Sequence, residues 1–117
     1  MSCRDDKTLL KDMLDAARAA VAEIEGSTQA ALAADHVHAL GLTKCIEIVG
    51  EAAVHLSREL RQRHSEVPWA LIIGMRNRLV HAYFDIDYEQ VWKALTEDVP
   101  PLIEQLQRIL ESESKRA

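Results

Sequence analysis

The spacing of the apolar side chains constrains this chain more than any other feature, because they recur every three or four positions over most of its length. That period matches one face of an α-helix, whereas a half-buried strand would alternate every second residue. Only 4 glycines and 3 prolines interrupt the pattern in 117 residues. The sequence therefore predicts an all-α fold, an antiparallel bundle of four to five helices in one domain over residues 1–117.

Residues with strong positional preferences mark where the predicted helices begin and end. Gly26 stops the first helix, and Asp35 caps the second after a short helical turn at residues 29–34. Asp87, with Gln90 three positions later, forms a variant of the capping box. The predicted helices run from about Asp5 to Glu25, from Asp35 to about Arg63, from Pro68 to about Ala82, from Asp87 to a break at Pro100-Pro101, and from that break to Leu110.

Composition and charge narrow the class of protein. The 19 acidic and 14 basic residues give a net charge of −5, which disfavours nonspecific coating of nucleic acid but leaves room for a local basic patch. The chain has no run of the roughly 18 to 20 apolar residues that a spanning helix needs, and its first residues lack the apolar core of a signal peptide. We therefore expect a cytoplasmic protein without a membrane segment, in which the thiols of Cys3 and Cys45 are free.

Most familiar site signatures are absent from the sequence. It contains no glycine-rich phosphate loop, no paired cysteine motif and no His-Glu-x-x-His zinc motif. His36 and His38 are two residues apart, so a helix would point them about 200° apart, too far to chelate one metal. His55 and His64 stand alone and are interpreted as solvated surface residues. The sequence therefore predicts neither a metal nor a cofactor.

One segment, residues 75–83, concentrates side chains that can do chemistry. It reads Met-Arg-Asn-Arg-Leu-Val-His-Ala-Tyr, with two guanidinium groups, an amide, an imidazole and a phenol. On a continuous helix, at about 100° per residue, Tyr83 nearly eclipses Arg76, and Asn77 lies one turn before His81. One broad face of the helix would then carry Arg76, Asn77, His81 and Tyr83, and Arg78 would lie outside it.

Phosphodiester transfer in RNA is a reaction that this set of side chains supports without a metal. Histidine titrates near neutral pH, so His81 can take the proton of a ribose 2′-OH or give one to the leaving 5′ oxygen. Arg76 can stabilise the extra negative charge on the phosphorus through its planar fork of donors. Asn77 can orient the imidazole or the phosphate.

The same residues also have a purely structural interpretation. Arg76 and Arg78 can pair with carboxylates on another helix, such as Glu47 or Glu51. The histidine and the tyrosine of the segment would then only complete a helix near its negative C-terminal end. Spacing alone favours this structural interpretation over the catalytic one.

The segment resembles the Arg-x4-His motif of HEPN domains, from Arg76 to His81. With Tyr83 added, it is similar to Arg-x4-His-x-Tyr, the motif of the HepT-like ribonuclease toxins that pair with a minimal nucleotidyltransferase antitoxin. The resemblance covers most of the chain. It therefore favours the catalytic interpretation of the segment over the structural one. Its further matches are Ile48-Val49-Gly50-Glu51-Ala52, where the family has Ile-Gly-Glu-Ala, and Pro68-Trp69, Gly74-Met75, Val91-Trp92 and Pro100-Pro101.

The resemblance implies a homodimer in which the motifs of two subunits face each other across a composite cleft, with metal-independent endoribonuclease activity. It makes Arg76 and His81 the catalytic pair, with Asn77 in support. One arginine and one histidine cannot easily supply acid, base and charge stabilisation together, whereas two copies can. The resemblance also makes Tyr83 the residue that the antitoxin modifies with AMP, which would put negative charge and bulk where RNA must bind.

The second long helix carries two further expectations. Gly50 in a helix interior costs up to about 1 kcal/mol relative to alanine, so it is expected to mark a close approach between helices. Glu51 is expected to be a buried or interfacial partner of an arginine near the motif.

Few basic residues are available to bind the expected RNA substrate, a tRNA or an mRNA. This thin basic surface keeps a second function open, that of a non-catalytic helical companion that binds substrate or nucleotide for a separate nucleotidyltransferase. A third alternative is a helical dimer whose motif is structural. The residues expected to contact RNA are Arg58, Arg61, Arg63 and Arg78.

Overall fold

The fold consists of short and long helices with one small ribbon of strands. A computed structural model describes residues 5–82 and 85–116, without the side chains of His81 and Ala82. The all-α class predicted from the apolar period is confirmed, although a short antiparallel ribbon accompanies the helices. The described elements are α1 (Asp6–Glu23), α2 (Gln29–Ala33), α3 (His36–His55), α4 (Arg58–Arg63), α5 (Trp69–Ile73), α6 (Met75–Leu79), β1 (Val80–Ala82), β2 (Asp85–Ile86), α7 (Tyr88–Lys93), a π-helical turn (Ala94–Asp98) and α8 (Val99–Ser114).

Helix α1 packs against both α3 and α8. The apolar stripes predicted from the sequence form its core, as Leu10 and Met13 on α1, Ile46 on α3, and Leu106 and Ile109 on α8 are all buried. Burial of such stripes is the main contribution to the stability of a helical domain of this size. In the part of the chain that the structure describes, no helix is both long and apolar enough to cross a membrane.

Side-chain caps begin helices where the sequence predicts them. The carboxylates of Asp5, Asp35 and Asp87 each accept a hydrogen bond from the backbone N–H three residues later, at 2.8, 3.0 and 3.1 Å. These bonds satisfy donors that have no partner within the helix. After α1 the chain turns through Gly26, whose φ of 77° lies in the left-handed region that glycine adopts without strain.

The second predicted helix, residues 35–63, is too long, because the chain turns after His55. Leu56 is extended, with φ −63° and ψ 145°, and the Ser57 hydroxyl then caps α4. Asp6 on α1 fixes this turn, since its carboxylate accepts hydrogen bonds from the N–H and the hydroxyl of Ser57 at 2.9 and 2.6 Å. The apolar pattern continues across the turn and therefore does not reveal it.

The third predicted helix, residues 68–82, is wrong in its second half. It is divided at Gly74 and ends at Leu79. Val80 is extended, with φ −130° and ψ 120°, a conformation that suits its β-branched side chain, and it begins the strand β1 that pairs with β2. The Leu79 carbonyl accepts the N–H of Asp87 at 2.7 Å. The single helical face predicted for the motif therefore does not extend beyond Leu79.

Pro100 and Pro101 do not separate two helices, although the sequence predicted a break there. The π-helical turn Ala94–Asp98 joins α7 directly to α8, and the backbone at Ala94 and Val99 stays in the right-handed helical region. A proline in the first turn of a helix is tolerated because its missing N–H would have no partner there. The two prolines thus begin α8 without separating it from the preceding turn.

Candidate functional site

An open cleft lies between helix α3 and the segment formed by α5 and α6. Its volume is about 390 Å³. The second half of α3 forms one wall, and the end of α5 with the start of α6 forms the other. The residues that line it are Glu47, Gly50, Glu51, Val54, Ile73, Arg76 and Asn77.

Gly50 allows the two walls to approach each other. A Cβ atom added at this position would lie 3.3 Å from the carbonyl oxygen of Ile72 and 3.4 Å from that of Ile73. These are backbone atoms, so they can yield only if α5 itself moves. The expectation that Gly50 marks a close approach between helices is confirmed.

Arg76 lies at the mouth of the cleft in an ion pair with Glu47. Arg76 Nε donates to Glu47 Oε2 at 2.9 Å, and the two side chains are 47% and 28% exposed. Lys44 Nζ contacts the other carboxylate oxygen, Oε1, at 3.3 Å. The hydrogen bond from Arg76 holds the pKa of Glu47 below its ordinary value, with a smaller contribution from Lys44. The interhelical pair considered in the structural interpretation therefore forms with Glu47.

Glu51 lines the same cleft but does not have the expected partner. Its side chain is exposed, and no ion pair joins it to any residue that the structure describes. The expectation of a buried partner for an arginine is wrong within one chain, because Glu47, one turn earlier on α3, takes Arg76. A place for Glu51 in an interface stays a prediction.

The other motif residues are placed to different extents. Asn77 is exposed beside Arg76 in the cleft lining, whereas Arg78 is half-buried and does not line it. The backbone of His81 lies in β1, directly after α6. The side chain of His81 and the whole of Tyr83 lie outside the described residues, so the roles predicted for them stay predictions.

The basic residues of α4 do not line the cleft. Arg58 is exposed, and Arg61 is half-buried with its Nε lacking a hydrogen-bond partner among the described residues. Arg63 is occupied by α8, because its Nη2 and Nε donate to the two carboxylate oxygens of Glu113 at 2.6 and 3.2 Å. His64, interpreted from the sequence as a solvated residue, is half-buried and contacts Glu113 at 2.8 Å.

A second cleft, of about 230 Å³, adjoins the first along α3 and shares Glu47 and Glu51 with it. Lys44 and His55 were not predicted from the sequence as site residues. A signal for Lys44 exists, since residues three or four apart on a helix are neighbours, and Lys44, Glu47 and Glu51 have that spacing. The second cleft is lined by Leu9, Asp12, Lys44, Glu47, Ile48, Glu51, Ala52 and His55.

Metal-binding and thiol chemistry have little support in the described part of the chain. Among its side chains, no group of three or more His, Cys, Asp or Glu residues could hold a metal ion. Cys45 is a free, half-buried thiol, and burial raises its pKa. The polar side chains in the lining of the first cleft provide a guanidinium, an amide and two carboxylates that can act on a ligand.

The fold and the cleft define a small helical domain that presents a guanidinium suited to binding phosphate. The family model described as "Ribonuclease HepT-like" matches residues 13–109, and the chain belongs to this HEPN-type ribonuclease family. Its activity class is therefore that of a ribonuclease.

Named relatives agree with this assignment. The chain is 33% identical to "Putative RNase MJ1380" of Methanocaldococcus jannaschii over 102 residues, which are 87% of this chain and 94% of the relative. It is 39% identical to "Putative RNase TTE0752" of Caldanaerobacter subterraneus subsp. tengcongensis over 79 residues, 68% of this chain and 70% of the relative. It is also 39% identical to "Probable ribonuclease HepT" of Thermococcus cleftensis over 59 residues, 50% of this chain and 54% of the relative. No solved structure gives a significant match.

Proposed function

We propose that this chain is the metal-independent endoribonuclease toxin of a toxin–antitoxin pair and acts on RNA in the cytoplasm. Its active site would be a composite cleft of a homodimer, and a minimal nucleotidyltransferase antitoxin would neutralise it. The observation that carries the proposal is Arg76, a permanent cation at the mouth of an open cleft, five residues before His81 in a chain of a ribonuclease family.

The reaction needs a base, an acid and charge stabilisation. His81 of one subunit accepts the proton of a ribose 2′-OH, whose oxygen attacks the adjacent phosphorus. The bond from phosphorus to the 5′ oxygen breaks as the partner subunit's His81 donates a proton to that oxygen. The products are a 2′,3′-cyclic phosphate and a 5′-OH. Arg76 stabilises the charge on the phosphoryl oxygens, and Asn77 positions the phosphate or the imidazole.

The remaining basic residues would hold the RNA outside the reacting centre. Arg58, Arg61 and Arg78 are proposed to contact phosphates there, which are held through charge. Arg63 is not proposed as a phosphate contact, because its guanidinium is already hydrogen-bonded to Glu113. Because the net charge of the chain is −5, it should bind RNA weakly and in a salt-dependent manner.

Tyr83 is proposed as the residue that the antitoxin modifies. Added AMP units carry phosphate charge, so they would repel the RNA backbone and obstruct the cleft. Incubation with a nucleotidyltransferase of the pair and ATP should raise the intact mass of the wild-type chain and abolish RNA cleavage. Tyr83→Phe should keep its mass and its activity, and equal modification of Tyr83→Phe would disprove this role.

The decisive experiment incubates the purified chain with total tRNA in excess chelator and analyses the new RNA ends. Cyclic phosphate ends should appear with the wild-type chain and disappear with His81→Ala and with Arg76→Ala. Arg108→Ala is the matched control, because Arg108 is an exposed arginine on α8 that does not line the cleft. Circular dichroism of each variant separates loss of activity from loss of fold.

A second candidate function is the non-catalytic companion of a nucleotidyltransferase that binds substrate or nucleotide. The charge of the cleft favours it, since Glu47 and Glu51 line the same surface as Arg76 and would repel a long polyanion. Absence of cleavage by protein whose intact mass shows Tyr83 unmodified would favour the companion over the ribonuclease toxin.

A further inference from the structure

The contact between Glu47 and Arg76 uses only one edge of the guanidinium. Glu47 Oε2 accepts the Nε–H of Arg76 at 2.9 Å. A guanidinium has five N–H donors, so the four donors on its Nη nitrogens are not used by this bond. No other ion pair of Arg76 involves a residue that the structure describes. The outer donors are the fork that binds two phosphate oxygens side by side.

The ion pair does not cancel the positive charge at the mouth of the cleft. Lys44 Nζ lies 3.3 Å from Glu47 Oε1, while Arg76 holds Oε2. Two cations therefore share the carboxylate of Glu47, so these three side chains carry one net positive charge, which the carboxylate of Glu51 balances over the cleft as a whole. Glu47 also remains ionised in mildly acidic solution, because the hydrogen bond from Arg76 lowers its pKa. The outer donors of Arg76 therefore remain available to a single phosphate group, although the cleft as a whole carries no net positive charge that would attract a long polyanion.

The close packing of α3 against α5 limits the distance between Glu47 and Arg76. Gly50 lies one helical turn after Glu47 on α3 and allows close contact with the carbonyl oxygens of Ile72 and Ile73 at the end of α5. Arg76 follows three residues after Ile73, near the start of α6. Stability alone does not account for the pair, since an ion pair this exposed contributes little to the stability of the fold.

We propose that Glu47 is a positioning residue for the ribonuclease reaction: it holds the Nε edge of Arg76 so that the outer fork is ordered before the phosphate arrives. An unrestrained arginine would lose rotamer freedom on binding the transition state, and prior ordering removes that loss. This inference rests on the proposed function. It adds that Glu47 acts through Arg76 and does not itself contact RNA.

The test measures steady-state cleavage of a defined RNA in excess chelator by the full chain. Glu47→Ala should lower kcat by about tenfold to a hundredfold and change KM by less than about threefold, because the fork is disordered at the transition state. Glu47→Gln keeps an oxygen that can accept the Nε–H, so it should recover part of kcat. The matched control is Glu104→Ala, an exposed glutamate on α8, which should behave like the wild type.

A double-mutant comparison separates positioning from a merely structural effect. Lysine has no Nε edge and no fork, so in an Arg76→Lys background Glu47→Ala should change kcat by less than about twofold. A drop in that background as large as in the wild type would overturn the proposal. An unchanged or increased kcat for Glu47→Ala alone would also overturn it, and an increase would show that Glu47 masks Arg76.

The outcomes distinguish this inference from the proposed function. If wild type cleaves RNA, Arg76→Ala does not, and a folded Glu47→Ala is fully active, then only the positioning role fails. If wild type leaves the RNA intact, the proposed function fails and the positioning role fails with it. If Glu47→Ala does not fold, then Glu47→Gln, whose side chain has the same shape as glutamate, tests the positioning role through its kcat and KM.

Discussion

Two glycines on α3 differ in what surrounds them. A Cβ at Gly50 would lie 3.3 Å from the carbonyl oxygen of Ile72, whereas a Cβ at Gly41 would have no atom within 4 Å apart from its chain neighbours and the backbone of its own helix. Alanine has the higher helix propensity at both positions. The two substitutions therefore share the same propensity gain and differ only in the contact with α5.

Alanine at these two positions should change stability in opposite directions. Gly41→Ala should raise the free energy of unfolding by about 0.5 to 1 kcal/mol. Gly50→Ala should lower it by about 1 to 2 kcal/mol, because the backbone of α5 must be displaced. Urea unfolding followed by circular dichroism measures both. Equal stabilisation by the two variants would show that α3 and α5 are not in the close contact described.

At the scale of single residues, the sequence predicted only part of the candidate site. It identified Arg76 and Asn77, which line one cleft, and it correctly interpreted Gly50 as a point of close approach. It could not choose between Glu47 and Glu51 as partner of Arg76, since both lie near the same face of a helix one turn apart. The choice depends on how α5 docks on α3, which is a tertiary contact without a local sequence signal.

At the scale of elements, helix starts were easier to predict than helix ends. Caps depend on a side chain and a donor three residues away, so Asp35 and Asp87 could be located from the sequence. The turn after His55 depends instead on Asp6, which bonds to Ser57 across 51 positions of the chain. The end of α6 likewise depends on pairing between β1 and β2, so the period of apolar residues could not indicate it.

Helices α4 and α8 are joined by one carboxylate. Glu113 on α8 accepts two hydrogen bonds from Arg63 and contacts His64. Arg63 is the main reason that the pKa of Glu113 falls from 4.5 to about 2, with a smaller contribution from His64. Because the folded pKa lies below the unfolded value, the stabilisation is complete above about pH 4.5 and is lost as the pH falls towards about 2.

The substitution Glu113→Gln should therefore destabilise the chain in a pH-dependent manner. At pH 6 we expect a loss of about 2 kcal/mol in the free energy of unfolding, as is typical of hydrogen bonds to charged groups. At pH 3 the loss should be clearly smaller. Urea unfolding at both values measures it, and Glu111→Gln, an exposed neighbour on the same helix, is the control. A loss that is the same at both pH values would contradict the role assigned to Glu113.

At the scale of the whole molecule, the proposed reaction needs more catalytic groups than one chain provides. Each chain contains one Arg-x4-His motif, whereas the proposed reaction needs a base, an acid and a cation. An apolar side chain lies next to the motif, since Val54 is 48% exposed and lines the same cleft as Arg76. A second copy packed over this end of α3 would cover Val54 and bring two motifs together.

If the proposed homodimer buries Val54, then Val54→Arg should separate the subunits and abolish cleavage, because an interface core does not accommodate an unpaired charge. Light scattering at about 20 μM should give wild type twice the 13.2 kDa of the single chain and should give the variant the mass of one chain. Val37→Arg is the control, because Val37 is 78% exposed at the start of α3 and does not line the cleft. It should remain dimeric and active. A wild-type chain that is monomeric at this concentration and still cleaves RNA would require one Arg76 and one His81 to be sufficient, and would contradict the composite cleft.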